Sequence, residues 1–145
     1  MSVEELERIN DEGLAAWDAG DAEAFVGLFA NDFVWIDWTQ PAPITDREAA
    51  LAYVRSWNTA FPDLTMTDRV VVIGDNAVAT EITWEGTNTG PLAMGGMELP
   101  PTGRRITGRG SYIAKVRDGK IVEFRSHPDV AGMMMQLGLM PQPQA

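Results

Sequence analysis

The chain has 145 residues, 11 basic and 21 acidic side chains, one histidine and no cysteine. At that length a single domain can bury about two thirds of its unfolded surface without disulfides or a structural metal, and the missing cysteine excludes thiolate metal sites, iron–sulfur clusters and cysteine nucleophiles. A formal charge of −10 disfavours nucleic acid and anionic lipid, whose binding is built on Lys and Arg.

Val3, Leu6, Ile9, Gly13, Leu14 and Trp17 recur at helical spacing, and Gly20 follows as a stop signal. Asp21 can cap a short second helix carrying Phe25, Leu28 and Phe29 on one face and ending at Asn31-Asp32. Residues 33–38 read as a strand, with Phe33, Trp35 and Asp37 on one face. Thr45 and Glu48 have the spacing of a capping box, ahead of a third amphipathic helix that stops before Pro62.

The period then changes to strands over 64–73, 77–86, 104–117 and 120–127, with a turn at Gly74-Asp75-Asn76 and another at Asp118-Gly119. Residues 87–103, rich in Gly and Pro, predict a long binding loop or lid. A short helix over 129–137 closes the chain. The order predicts one α+β domain over residues 1–140, with helices packed on the concave face of a curved sheet, and a frayed tail over 141–145. No basic N-terminal region precedes an apolar run, so a soluble, cytoplasmic protein away from membranes is expected.

Three segments carry a resemblance. They are Gly86-Thr87-Asn88-Thr89-Gly90-Pro91, Pro100-Pro101-Thr102-Gly103-Arg104-Arg105, and the run from Asp118-Gly119-Lys120-Ile121 through Pro128-Asp129 to Gln136-Leu137-Gly138. Together with the element order, they resemble the SnoaL-like polyketide cyclases of the nuclear transport factor 2-like superfamily. The resemblance implies a cone-shaped α+β fold, usually a homodimer, with a ligand cavity between helices and sheet. It further implies a cofactor-independent polyketide or ester cyclase, or an aromatic-polyketide tailoring protein associated with hydroxylation. The same fold also hosts isomerases, epoxide hydrolases and non-catalytic binders of small molecules. In the cyclases an aspartate on the last strand acts as acid and base; its position here is Ser126. A histidine of the preceding strand falls on Tyr112.

The residues themselves leave several candidates for proton transfer. Asp37 stands beside Trp35 on an aromatic strand, either partly desolvated in a cavity or emerging into water. His127, the lone histidine, faces the cavity or the outside according to the register of the last hairpin. A two-residue turn at Asp118-Gly119 would set Tyr112 with Arg125 and His127, whereas a three-residue turn with a glycine bulge would set it with Phe124 and Ser126. The second register is preferred because it collects Ala114, Val116, Val122 and Phe124 opposite the charged residues. Asp129 is an N-cap or a cavity acid. Trp35, Tyr53, Trp57, Trp84, Tyr112 and Phe124 are core residues or the walls of a site for a flat, polycyclic, polyketide-like ligand. Asn88 can bind a ligand carbonyl or order its turn, and Met97 can serve as an adaptable lid. No Walker lysine, dinucleotide fingerprint or metal-ligand spacing is present, so no cofactor and no metal are expected.

Overall fold

A computed structural model describes residues 1–94 and 96–141; most of the expected tail lies outside these residues. The elements are α1 (Val3–Ala19), α2 (Ala22–Val26), β1 (Phe29–Asp37), α3 (Arg47–Ala60), β2 (Thr65–Gly74), β3 (Ala77–Thr87), β4 (Leu92–Met94), β5 (Met97–Leu99), β6 (Arg105–Arg117), β7 (Lys120–Pro128) and α4 (Val130–Gln136). Five strands form one curved, unclosed sheet in the order β1-β7-β6-β3-β2, in which β1 runs parallel to β7 and the other neighbours are antiparallel. This is the α+β architecture expected. Among the described residues no helix is long and apolar enough to cross a membrane.

The first helix forms as its sequence dictates. Ser2 caps its start by accepting from the Glu5 amide at 3.1 Å, and Gly20 ends it at φ 65°, where a side chain would be strained. The second helix is shorter than its apolar face suggests, because it stops at Val26 and Phe29 already belongs to β1. The cause is tertiary. Arg47 reaches back from α3 to donate to the Val26 and Phe29 carbonyls, each at 2.9 Å, and the Ile121 amide takes the Leu28 carbonyl. Those partners replace the helical ones. The third helix is capped by Asp46, whose carboxylate accepts from the Ala49 amide, and not by Thr45. The segment 87–103 is not wholly loop, since β4 and β5 pair within it as a small hairpin.

The β6–β7 register is the one preferred from sequence, reached by a different device. Arg117 pairs with Lys120 across a two-residue turn in which Asp118 has φ 51° and Gly119 φ 78°, the geometry favoured in tight hairpins. Val116 then pairs with Ile121 but Lys115 with Glu123, so Val122 is an extra, bulged residue. The bulge makes Ile121, and not Val122, the buried side chain. It also turns Phe124 and Ser126 inward beside Ala114 and Tyr112, and His127 outward.

Two apolar clusters fill the space between helices and sheet. One gathers Phe25, Phe29, Phe33, Trp35 and Phe124 under α1, α2 and α3; the other gathers Phe61, Leu64, Trp84, Ile106, Met133 and Leu137 toward α4. The cavity lies where they meet, lined by Phe25, Trp35 and Phe124 from the first and by Leu64 and Trp84 from the second.

Candidate active site

Strand pairing sets a row of polar side chains on the inner sheet face, three of which, Asp37, Ser126 and Tyr112, line this apolar cavity. Asp37 on β1 pairs with Ser126 on β7, Ser126 with Tyr112 on β6, and Tyr112 with Thr80 on β3. Direct cross-strand partners share a sheet face, so all four side chains project to the same side. The walls are aromatic: Trp35, Tyr53, Trp57, Trp84, Tyr112 and Phe124 all line the space. Trp35 meets Tyr53 edge-on at 5.2 Å between centroids, Tyr112 stacks on Phe124 at 4.9 Å, and Trp57 meets Trp84 edge-on at 6.1 Å.

Asp37 is the buried carboxylate of the site, with 5% of its surface exposed. Its Oδ1 accepts from the Thr39 amide at 2.9 Å and from Thr39 Oγ1 at 2.5 Å. Its Oδ2 accepts from Ser126 Oγ at 2.5 Å, and Ser126 in turn accepts from Trp35 Nε1 at 2.8 Å. Thr39 has one hydroxyl proton, already given to Asp37, so in its 3.0 Å contact with Tyr53 the phenol is the donor. Tyr53 thus donates to Thr39 and Thr39 to Asp37, while from the other side Trp35 donates to Ser126 and Ser126 to Asp37. A carboxylate offers about four lone-pair positions. Among the described residues these donors fill three of them, two on Oδ1 and one on Oδ2.

Burial pushes the Tyr53 phenol far above the ordinary tyrosine range, and the neighbouring Asp37 charge adds to the effect. Tyr112 is pushed up to about 12, chiefly by burial. Both therefore remain neutral hydrogen-bond donors near neutral pH.

The structure thus brings together Asp37, Ser126 and the six aromatic residues singled out from sequence. It leaves four other candidates outside the cavity lining. His127 is exposed and lies against exposed Trp38, with ring centroids 5.9 Å apart. Asp129 caps α4 by accepting from the Gly132 amide at 2.9 Å. Asn88 is fully buried, but its amide donates to the Ala60 and Gly90 carbonyls while its oxygen accepts from the amide and hydroxyl of Thr102. It staples the 87–103 segment to the end of α3. Met97 is 63% exposed on the β4–β5 hairpin, away from the lining. His127 is turned out by strand alternation, whereas Asp129 and Asn88 are spent on a helix cap and on loop groups.

Two residues of the site escape a motif search. Thr39 is visible in retrospect as the third residue of Asp37-Trp38-Thr39, a pattern in which an Asp side chain accepts from the backbone two residues on. Asn10 is the polar interruption in the apolar stripe formed by Leu6, Ile9, Gly13 and Leu14. Among the described residues, no three His, Cys, Asp or Glu side chains are grouped as metal ligands.

An open, curved sheet wrapped by helices around an apolar cavity with an internal carboxylate defines the small cavity proteins of nuclear transport factor 2-like fold. Within that class, residues 8–137 match the model of the SnoaL-like polyketide cyclases, and the chain belongs to that family. Among solved structures, AclR of Streptomyces galilaeus, a candidate hydroxylase, superposes with a TM-score of 0.83 at 23% identity, covering 99% of this chain and 87% of that one. IdmH of Streptomyces antibioticus, a candidate polyketide cyclase, superposes at 0.74 with 31% identity over 91% of this chain and 97% of its own. A 40-residue segment is 42% identical to the nogalonic acid methyl ester cyclase of Streptomyces nogalater. That match spans 28% of this chain and 30% of the relative.

Proposed function

We propose that the protein is a cofactor-independent enzyme acting on the reactive end of an aromatic polyketide or similar flat, oxygenated molecule, with Asp37 as the acid and base. The observation carrying this reading is the Asp37–Ser126 pair. Where the cyclases of the family use a carboxylate on the last strand, this chain has a serine, and the serine holds a carboxylate supplied by the adjacent strand. The acid is displaced by one strand and kept inside the same cavity.

The chemistry follows from that placement. Asp37 removes a proton from a carbon flanked by carbonyl groups; the resulting enolate carbon attacks a second carbonyl carbon of the same molecule and closes a ring. The new alkoxide takes the proton back from Asp37, so no electron carrier is needed. Trp35, Phe124 and Tyr112 hold the conjugated system flat and keep water from the enolate, while Ser126 and Thr39 fix the carboxylate. The cavity measures about 110 Å³, less than the roughly 300 Å³ at which pockets begin to enclose drug-sized ligands. It therefore admits one or two rings carrying the reacting carbons, with the remainder of a larger substrate outside.

Family membership also supports a homodimer. The outer face of the sheet carries exposed Val70, Val72 and Ile113, apolar side chains suited to a second copy.

The test is turnover of an anthraquinone ester with a β-keto side chain, followed by its absorbance as the new ring forms. Asp37→Asn, which keeps shape and removes the base, is expected to lower the rate by about 10²- to 10⁴-fold. Ring closure at the wild-type rate in that variant would eliminate Asp37 as the base. No closure by the wild-type protein, together with tight binding of the ester, would favour a binding or tailoring protein instead.

A further inference from the structure

Asn10 is another polar residue of the cavity lining, and the acid–base reading of Asp37 leaves it unused. It projects from α1 over the sheet and is 7% exposed. Its Oδ1 accepts from the Tyr112 hydroxyl and, at 3.3 Å, from Thr80 Oγ1. With both hydroxyls on the oxygen, the amide nitrogen occupies the other branch of the side chain. Burial keeps the phenol protonated well beyond neutral pH, so it has a proton to give. The amide nitrogen is therefore turned away from Tyr112 and Thr80, and Nδ2 has no hydrogen-bond partner among the described residues. Among the described residues no enclosed side-chain nitrogen or oxygen lacks a partner, so Nδ2 is not sealed among packed atoms but meets open space. Here the residue borders the cavity.

We propose that Asn10 is a substrate-binding residue whose Nδ2 donates to the oxygen of the carbonyl that activates the carbon acid, stabilising the enolate oxygen as Asp37 takes the proton. The inference rests on the acid–base reading of Asp37 and adds the partner that reading lacks. A carboxylate removing a carbon-bound proton leaves negative charge on a carbonyl oxygen, and in an apolar cavity that charge needs a fixed donor. Tyr53 and Ser126 are spent on holding the carboxylate, and Tyr112 on holding the amide.

Asp37 and Asn10 border the same cavity, whose walls are aromatic, so a flat molecule held there meets the carboxylate and the amide together. A carboxylate base acts on a carbon acidified by the carbonyl beside it. The class is an enolisable ketone within or fused to a flat ring system.

A small bicyclic ketone tests this without knowledge of the natural substrate. 2-Tetralone has an acidic C1–H beside its carbonyl, and tetralin is the same skeleton without the oxygen. In D₂O, Asp37 takes the C1 proton, the C–H electron pair forms the C1–C2 double bond, and the carbonyl π pair moves to the oxygen facing Nδ2. After exchange with solvent a deuteron returns to C1, so turnover is read as loss of the C1 proton signal. The wild-type protein is expected to bind 2-tetralone more tightly than tetralin in NMR titrations and to accelerate the exchange. Asn10→Leu, of similar volume, should weaken 2-tetralone binding about tenfold, leave tetralin binding unchanged and slow the exchange at least as much. Tyr112→Phe, which frees the amide to rotate, should give a smaller loss of the same preference and serves if Asn10→Leu does not fold. Asp37→Asn should stop the exchange while keeping the preference for the ketone.

Equal affinity of the wild-type protein for ketone and hydrocarbon overturns the proposal. So does an Asn10→Leu variant that keeps both preference and exchange rate, even if Asp37→Asn abolishes exchange and the acid–base reading stands. If Asp37→Asn exchanges at the wild-type rate while Asn10→Leu loses the preference, it is the acid–base reading that fails, and Asn10 remains the carbonyl-binding group.

Discussion

Ser126 Oγ donates to Asp37 Oδ2 at 2.5 Å across the parallel β1–β7 pair, and the two residues are direct partners in the register. Because partners on neighbouring strands lie about 5 Å apart, a carboxylate on either residue can serve the same region of the cavity. Exchanging them is therefore a direct experiment. Asp37→Ser alone is expected to lose turnover, whereas Asp37→Ser combined with Ser126→Asp should recover a substantial part of it. Recovery will be incomplete, because the two Thr39 donors are built for a carboxylate at 37. Ser126→Asp alone would set two carboxylates side by side in an apolar pocket and should lower the melting temperature. Turnover and thermal melts of the four proteins check this, and a double variant as inactive as Asp37→Ser would refute the equivalence.

Gly108 is required by the cavity wall. A Cβ at that position would stand 2.0 Å from Trp84 Cε2, a contact that only displacement of the indole relieves. Gly108→Ala is expected to cost about 1–3 kcal/mol in urea denaturation and to weaken ligand binding by moving Trp84. A variant with wild-type stability and an unchanged near-ultraviolet circular dichroism spectrum would contradict it.

The tyrosines offer a pH test. The chain has two, Tyr53 and Tyr112, and burial raises both. A folded value above the unfolded value of 10.0 means that the native state holds its proton more tightly. The stabilisation is complete below pH 10 and is lost as pH rises toward and past 12. Absorbance at 295 nm should show no tyrosinate step near pH 10, and ionisation should coincide with alkaline unfolding. A reversible step near 10 in the folded protein would show that one phenol is in water.

At the acid end, Asp63 holds the far end of β3. Its carboxylate accepts from the Thr87 amide at 2.7 Å and from the Thr87 hydroxyl at 2.8 Å, and these bonds keep it below its ordinary value of 3.8, with Arg105 a lesser cause. A lowered folded value contributes stability above pH 3.8 that disappears as pH falls through it. Asp63→Asn should melt below the wild type at pH 7, with the gap narrowing between pH 4 and pH 2. A gap independent of pH would mean that shape, and not charge, sets its contribution.

Much of this protein is written locally. The 3.6-residue stripe from Leu6 to Trp17, the Gly20 stop and the alternation of Phe33, Trp35 and Asp37 fix α1 and β1, because they depend on periods and caps that reach only a few residues. The aromatic walls were legible for the same reason. Other features depend on partners far away in sequence. Phe29 leaves the helix because Arg47 and Ile121 take the carbonyls that would continue it. One bulged residue, Val122, decides that Ser126 and not His127 enters the cavity, since a strand inserts or omits a residue at the cost of reversing every later side chain. Asn88 carries a family motif but is consumed by loop carbonyls, whereas Asn10, on a helix stripe, is left with an amide facing the cavity. Sequence determined which acids and aromatic rings were available. Only the pairing of β1 with β7 and β6 decided that Asp37, Ser126 and Tyr112 stand in one row, because cross-strand register is set by turns and bulges acting together over the whole sheet.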